Sequence, residues 1–366
     1  MKSKKTFITS AIAFCLFFSI ANIEAEEKEQ TIEFSGKAEN VESFKLLDSG
    51  MYSGMTSLEL NLDARPGEKS KMHAAIQANN IRGKIAEDLI FTQTAGIDPS
   101  VLENKLYLIE QTKSLFFFDI SSLYIAFWKG PFDFSIGKQE VRFGKGLIFS
   151  PLDIFCPPSL EIGNPREGAI FSSVASLSFG NFSSLEGVAA FNTKLEEGTY
   201  ALNYKTLLGS FEFISLGFYE GNYLGQEVFG GGLGFKGDLI FGIFGEALLR
   251  IAIDSLETKI QGSLGIDYSF SRDFIFTLEY FYNEENTLLS EKHYLALACD
   301  YTITELASIS AFFVSDLAKP NIVSTILFTQ SIAQGTDVGI FASYSHQKES
   351  TIENNVEAGL KLTLYF

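Results

Sequence analysis

Apolar and polar residues alternate along most of this chain with a period of two. This is the period of a β-strand, whose successive side chains point to opposite faces. The final segment, Val356–Phe366, shows the pattern most clearly, because every second residue is apolar and the residues between are mostly polar. Segments around 57–63, 272–281 and 293–301 show the same two faces. The pattern predicts an all-β chain whose strands each have one apolar face.

The connections between the predicted strands alternate in length. Short turns such as 180–181 and 236–238 are rich in Gly, Asn and Asp, and they alternate with longer, more acidic connections such as 83–115 and 144–168. Short turns at one end and long loops at the other are typical of a transmembrane antiparallel β-barrel with an even number of strands. We predict such a barrel with about 16–18 strands, whereas a soluble β-sandwich has no need of this alternation.

The two ends of the chain indicate export. Residues 1–25 combine a basic start, an apolar run and the small residue Ala25, and this predicts a signal peptide cleaved after Ala25. Residues 26–366 are then a single barrel domain. Val356–Phe366 resembles the closing strand of outer-membrane β-barrels, whose terminal aromatic residue is recognised by the barrel-assembly machinery. The resemblance implies an integral protein of the outer membrane of a diderm (Gram-negative-type) bacterium, in contact with outer-membrane lipids.

One predicted strand, at 131–143, changes its pattern partway. Even-numbered residues are apolar before Gly137, whereas odd-numbered residues such as Val141 are apolar after it. A β-bulge at this glycine inserts one residue and exchanges the two faces. With such a bulge, Glu140 and Arg142 point into the lumen of the barrel.

The long connection that follows, up to Gly168, is apolar and contains four prolines. Its apolar side chains are unusual for a loop surrounded by water, so we predict that the loop folds into the lumen and narrows it. Opposed charges across a narrow pore set its field and its ion preference. The charged residues expected at this constriction are Glu140, Arg142, Lys145, Asp153, Glu161, Arg166 and Glu167. The same residues also fit a structural role, in which they attach the loop to the wall.

Two short motifs in this region resemble a segment of porin-like outer-membrane barrels, including alginate-export-type channels. In that segment a G-(R/K)-Q strand leads into a P-x-D-x-F loop, which Gly137-Lys138-Gln139 and residues 151–155 match. The resemblance covers about 30 residues. Phe143 stands where Trp is common and Cys156 where a polar residue is more usual. The resemblance implies a channel and leaves its subfamily and solute open.

Composition agrees with a barrel. The chain has 36 Phe, 14 Tyr and 31 Gly, and its mean hydropathy is only +0.13, as expected when one face of each strand meets lipid. The formal net charge of −17 makes nucleic acid an improbable partner. Cys156 and Cys299 remain after the predicted cleavage, and the sequence leaves open whether they form a disulfide.

The residue patterns of known enzymes and cofactor sites are absent from the sequence. The three His residues are isolated and have no metal-ligand spacing, and no G-x-S-x-G motif is present. The glycine-rich run 230–234 lies in a predicted strand, so we interpret it as a thin wall or a strand bend and not as a phosphate-binding loop. We expect no enzymatic activity, no cofactor and no metal.

Together these patterns favour a passive channel for small hydrophilic solutes or ions. An 18-stranded barrel leaves a water-filled lumen, and smaller barrels are filled by their own side chains. The negative net charge suggests a preference for cations. The alternative is a structural or adhesive surface barrel without an open pore, whose acidic loops contact other surfaces. The sequence does not indicate the solute or the oligomeric state.

Overall fold

A computed structural model describes residues 32–46, 51–83, 107–111, 114–156, 168–191, 195–284, 292–319, 321–348 and 352–366. They form one short 3-10 helix, Leu195–Glu197, and 19 strands. The strands are β1 (Ile32–Lys45), β2 (Met51–Gly67), β3 (Ser70–Gly83), β4 (Tyr107–Gln111), β5 (Ser114–Lys129), β6 (Phe132–Glu140), β7 (Ala169–Phe179), β8 (Ser183–Ala190), β9 (Thr199–Leu208), β10 (Phe211–Tyr223), β11 (Gln226–Asp238), β12 (Gly242–Ala252), β13 (Thr258–Ser269), β14 (Phe274–Asn283), β15 (His293–Thr304), β16 (Ala307–Asp316), β17 (Ile322–Ala333), β18 (Thr336–Lys348) and β19 (Ile352–Tyr365).

The strands close into a barrel because β1 pairs with both β2 and β19. All pairs are antiparallel, and β3 pairs directly with β5, so β4 stands outside the ring and 18 strands form it. This confirms the predicted all-β antiparallel barrel of about 16–18 strands. No helix in the described part of the chain is long and apolar enough to cross a membrane. The predicted signal peptide lies outside the described residues, so its cleavage and the domain start at residue 26 stay predictions.

The two ends of the barrel differ in the length of their connections. At one end every turn between consecutive ring strands contains two to four residues, and the C-terminus lies there, since Gly36 and Phe366 exchange backbone hydrogen bonds of 2.7 and 3.1 Å. The other end contains the long connections, including 84–113 and 141–168. Two connections at this end are short, because only Leu224 and Gly225 join β10 to β11 and only residues 349–351 join β18 to β19.

Each strand has an inward and an outward face. In β12 the inward residues Phe244, Glu246 and Leu248 are buried, whereas the outward Leu249 is 37% exposed. Many exposed Leu, Ile, Phe and Tyr side chains lie on the outer surface. This is the arrangement expected of a barrel whose outer face meets lipid.

The predicted β-bulge at Gly137 is wrong. The pairing of β6 with β5 and with β7 has no register shift. The irregularity lies in β5 instead, where Ala75 and Ile76 of β3 pair with Ser122 and Ile120, so Ser121 is the extra residue. Gly137 has a positive φ of 135°, and a Cβ there would lie 2.1 Å from the carbonyl oxygen of Leu123.

The apolar residues after Gly137 have a different cause. β6 ends at Glu140, three residues earlier than predicted, and the chain then leaves the wall. Val141 keeps the inward parity of Gln139 and is apolar because it packs inside the barrel. The change of pattern therefore marks the point at which the chain enters the lumen.

β4 pairs with the part of β5 that β6 does not cover. β6 pairs only with residues 123–129 of β5. The preceding residues 114–118 of β5 pair with β4, which lies in the connection between β3 and β5. The sequence pattern did not predict β4. Its pairing covers an edge of β5 that would otherwise expose unpaired backbone groups.

Candidate functional site

Residues 141–156, the inner loop, lie inside the barrel against one side of the wall. Val141, Phe143 and Leu152 are buried in an apolar cluster with inward residues of the wall. The wall residues of this cluster are Val188, Ala201, Ile214, Leu216, Phe218 and Leu248. The predicted folding of this loop into the lumen is thereby confirmed.

The inner loop has no regular secondary structure, so its backbone N–H groups need acceptors inside the barrel. Glu246 of β12 provides one set. Its Oε1 accepts the N–H groups of Lys145 and Gly146, the latter at 2.8 Å, and its Oε2 accepts the N–H of Leu152 at 3.0 Å. The Ser150 hydroxyl lies 3.3–3.4 Å from both oxygens. Glu246 is only 4% exposed, so these bonds replace its contacts with water.

Glu279 of β14 provides the second set. Its Oε1 accepts the N–H groups of Leu147 and Ile148 at 2.7 and 2.9 Å, and its Oε2 accepts that of Phe149 at 2.8 Å. The side chain is fully buried. Glu246 and Glu279 together accept six backbone N–H groups, and they hold the inner loop to the wall along residues 145–152.

Apolar contacts fit the inner loop to the same wall. The Phe149 ring stacks on Phe281 of β14, with centroids 4.7 Å apart and planes 9° from parallel. Leu152 is fully buried against the glycine-rich part of β11. A Cβ at Gly232 would lie 2.3 Å from its Cδ2, and one at Gly234 would lie 2.8 Å from its Cδ1. The run 230–234 is thus a thin wall, as the sequence suggested, and the thinness makes room for Leu152.

Asp153 belongs to the internal structure of the inner loop. It is buried, and its Oδ1 accepts the N–H groups of Phe143 and Gly144 at 2.8 and 2.7 Å. The carboxylate therefore joins the two arms of the loop across its base. This contact fits the structural role that the sequence left open for the charged residues.

Three other predicted site residues form ion pairs. Glu140 pairs with Arg142, and both side chains are well exposed. Without the predicted bulge, Glu140 has the parity of the outward Phe132 and Ile136, so the prediction that it points into the lumen is wrong. Lys145 Nζ lies 2.9 Å from Oε1 of Glu212 on β10, with side chains 27% and 33% exposed. Lys145 and Glu212 thus connect the inner loop to the wall and remain partly exposed to solvent. Glu161, Arg166 and Glu167 lie outside the described residues.

The two cysteines are free thiols. Cys156 is buried at the end of the inner loop, where its thiol contacts the carbonyl oxygen of Gly168. Burial raises the pKa of Cys156 to about 11, so the thiol is protonated at neutral pH. Among the residues that the structure describes, no group of three His, Cys, Asp or Glu side chains could hold a metal ion.

Sequence reasoning did not identify Glu246 and Glu279 as site residues. A signal was present, because each is an acidic residue between inward-facing apolar or uncharged residues of a wall strand. In β12 the inward neighbours are Phe244 and Leu248, and in β14 they are Thr277 and Phe281. A carboxylate in such surroundings needs donors from elsewhere in the fold, and here the inner loop supplies them.

Comparison with known proteins places the fold. No family model and no curated protein sequence matches the chain. Among solved structures, the chain is similar to OccAB4 of Acinetobacter baumannii, with a TM-score of 0.56, 10% identity, and coverage of 92% of this chain and 99% of that chain. It is similar to OccK2 (OpdF) of Pseudomonas aeruginosa, with a TM-score of 0.59, 7% identity, and coverage of 92% and 97%. It is also similar to OprB of Pseudomonas putida, with a TM-score of 0.53, 10% identity, and coverage of 92% of this chain and 94% of that chain. The chain shares the barrel fold of these structures.

Proposed function

We propose that this protein is an outer-membrane channel through which small hydrophilic solutes diffuse passively. The observation that carries the proposal is the inner loop, which Glu246 and Glu279 hold against one side of an 18-stranded barrel. A barrel of this size has room for water beside such a loop. A loop fixed to one side narrows the lumen and leaves space between itself and the opposite wall. This is the arrangement that a size-selective pore needs.

The proposed location is the outer membrane of a diderm bacterium. Exposed apolar side chains on the outer face support it, together with the barrel fold that the chain shares with OccAB4 and OccK2. The long-loop end then faces the outside of the cell and the short-turn end faces the periplasm. In this proposal the partners are outer-membrane lipids, the barrel-assembly machinery and the transported solutes, and the protein has no catalytic role.

We also propose a preference for cations. The net charge of −17 supports it, although charges on distant loops act weakly at physiological salt, where screening extends over about 8 Å. Charges at the inner loop matter more for this reason. The accessible Lys145–Glu212 pair is the described contact at which a change of charge acts most directly on a passing ion.

Single-channel recording in planar bilayers tests the channel. The wild-type protein should give discrete conductance steps, and the double variant Glu246→Ala/Glu279→Ala should give larger ones because the loop is no longer held to the wall. Glu186→Ala is the matched control, since Glu186 lies on β8 opposite Ser176 and Asn203 and none of the described loop contacts involves it. Absence of steps from folded wild-type protein would contradict the channel and favour a closed surface barrel.

Removal of the loop provides a second test between an open channel and a closed surface barrel. Deletion of residues 146–164 should widen a pore and increase its conductance. A closed adhesive barrel should instead show no steps in either form. Resistance to protease and an antiparallel β-sheet spectrum in detergent would show that both proteins are folded before they are compared.

A further inference from the structure

The inward face of β15–β18 carries apolar side chains where the proposed channel holds water. One such residue lies on each of these four consecutive strands, and all four are partly exposed. Register places them side by side, because Phe312 pairs with Ala298 and Leu327 pairs with Phe341. Phe312 and Leu327 are diagonal neighbours, since Phe312 pairs with Thr325. We call these residues the apolar strip, and they are Ala298, Phe312, Leu327 and Phe341.

One end of the apolar strip begins at the inner loop. Ala298 and Phe312 pack against the buried cluster that contains Ile148 and Phe149 of the loop. These contacts show directly that the two wall residues point into the barrel. Since Ala298 and Phe312 are only partly buried by the cluster, part of each remains accessible from the lumen.

The other end of the apolar strip lies flat against the wall because two inward glycines make room for it. Gly359 pairs with Phe341, and a Cβ at Gly359 would lie 2.4 Å from Cζ of the Phe341 ring. A Cβ at Gly339 would lie 3.1 Å from Cδ1 of Leu327. The two side chains therefore cover the backbone of β18 and β19. They give the wall an apolar surface and leave the lumen open.

The hydroxyl groups near the apolar strip donate within the wall. Thr325 Oγ1 donates to Ser343 Oγ at 3.1 Å, and Ser310 Oγ donates to Asp300 Oδ1 at 2.6 Å. Each hydroxyl has a single hydrogen, so Thr325 and Ser310 have no donor left for a passing solute. The surface between the apolar side chains therefore competes weakly with water for polar groups.

A charged cluster adjoins the apolar strip on β19 and β1. Lys361 pairs with Gly339, and its Cβ would lie 3.3 Å from a Cβ at that glycine. Lys361 Nζ and Lys37 Nζ lie 3.0 and 2.8 Å from the same oxygen, Oε2 of Glu39. The two lysines are 33% and 40% exposed, and Glu39 is buried. An apolar surface and a charged surface thus lie side by side in the lumen.

The inner loop adds one more apolar group to this part of the lumen. Leu147 is 49% exposed, whereas the next two loop residues, Ile148 and Phe149, are buried. Its backbone N–H donates to Glu279, which pairs with Ala296 of β15, the inward neighbour of Ala298. The Leu147 side chain is therefore free to contact a solute, because the backbone of the residue makes the attachment to the wall.

We propose that the apolar strip and Leu147 bind the apolar part of amphipathic solutes during their passage, while the adjoining charged cluster contacts the polar part. Contact with the strip removes apolar surface of the solute from water. Passage requires contact that is favourable and yet weak enough for release, and a flat strip that covers one side of a solute meets both needs. The proposal rests on the channel function proposed above. It names small solutes with one apolar group as the class that the channel favours over purely hydrophilic solutes of equal size.

Uptake of labelled leucine and asparagine into liposomes that contain the purified protein tests the apolar strip. The two solutes share a zwitterionic head group and have side chains of nearly equal size, so the ratio of their rates reports the apolar contact. At low concentration the wild-type protein should admit leucine about fourfold faster than asparagine, the factor expected from shielding one methylene group. Leu327→Asn/Phe341→Gln should bring the ratio close to one. The control Leu327→Met/Phe341→Leu keeps the surface apolar and should keep the ratio.

Leu147→Asn provides a separate test on the inner loop. It should lower the leucine-to-asparagine ratio, although the hydrogen bond from the backbone N–H of residue 147 to Glu279 is retained. Asparagine uptake should be equal in wild type and all variants, which shows that each protein is folded and open.

The outcomes separate the apolar strip from the channel itself. If folded wild-type protein admits neither solute faster than protein-free liposomes do, the channel function is wrong. Equal rates for leucine and asparagine in the wild type would overturn the role of the strip and leave the channel intact. A leucine preference that persists in Leu327→Asn/Phe341→Gln and in Leu147→Asn would also overturn it.

Discussion

At the scale of single residues, two glutamates accept backbone N–H groups that the carbonyl groups of a neighbouring strand accept elsewhere in the barrel. Glu279 accepts the N–H groups of three consecutive residues, 147–149, and Glu246 accepts three from 145, 146 and 152. A loop without regular structure is thereby attached to the wall by six hydrogen bonds. The contacts at Ile148, Phe149 and Leu152 matter most, because these residues are buried and an unpaired N–H there has no water to bond.

Replacing Glu279 by Ala should release residues 147–149 from the wall. At about 1 kcal/mol for each lost hydrogen bond, the free energy of opening this part of the loop should fall by about 3 kcal/mol. Hydrogen exchange of the three amides measures the change. Glu186→Ala should leave their exchange unaltered, and equal protection in Glu279→Ala and wild type would contradict the assigned contact.

Gly232 should be intolerant of a side chain because Leu152 occupies the space. Gly232→Ala should lower the free energy of unfolding by about 1–3 kcal/mol, as overpacking does. Gly217→Ala, where no atom lies within 4 Å of the new Cβ, is the matched control. Adding Leu152→Ala to Gly232→Ala should recover part of the loss, and this non-additivity in urea titrations would show that the two residues share one space.

The Cys156 thiol should be unreactive at neutral pH. A pKa of about 11 leaves about one thiolate in ten thousand at pH 7, and the fraction rises tenfold per pH unit below that pKa. Maleimide labelling of a Cys299→Ser protein should therefore be slow at pH 7. It should accelerate when Glu279→Ala loosens the loop, whereas fast labelling of the parent protein would show that Cys156 is exposed.

At the scale of elements, period-two alternation was enough to predict the strands, because a wall with lipid on one side and water on the other imposes it on every strand. It failed where the surroundings change. After Glu140 the inward side of the chain packs against protein, so the apolar Val141 and Phe143 resembled a strand with exchanged faces. β4 and the bulge at Ser121 have no period-two alternation to mark them, since each is defined by its pairing with another segment.

The candidate site was predictable only in part for the same reason. The apolar, Pro-rich composition of 144–168 indicated a packed loop, because the chain itself carries that information. Its partners Glu246 and Glu279 are about 100–130 residues away in the sequence, and only closure of the barrel brings them to the loop. Of the predicted charges, Asp153 forms a contact within the loop, and Lys145 contacts a residue, Glu212, that the sequence did not single out.

At the scale of the whole molecule, the balance of charge beside the inner loop should decide which ions pass. Lys145→Gln leaves Glu212 without this cationic neighbour and should shift the reversal potential in a KCl gradient toward cations. Glu212→Gln should shift it toward anions by a comparable amount, so the two variants are controls for each other. Both shifts should shrink between about 0.1 M and 1 M salt, since the screening length falls from about 10 Å to 3 Å. Equal reversal potentials in both variants at low salt would show that ions do not pass beside this pair.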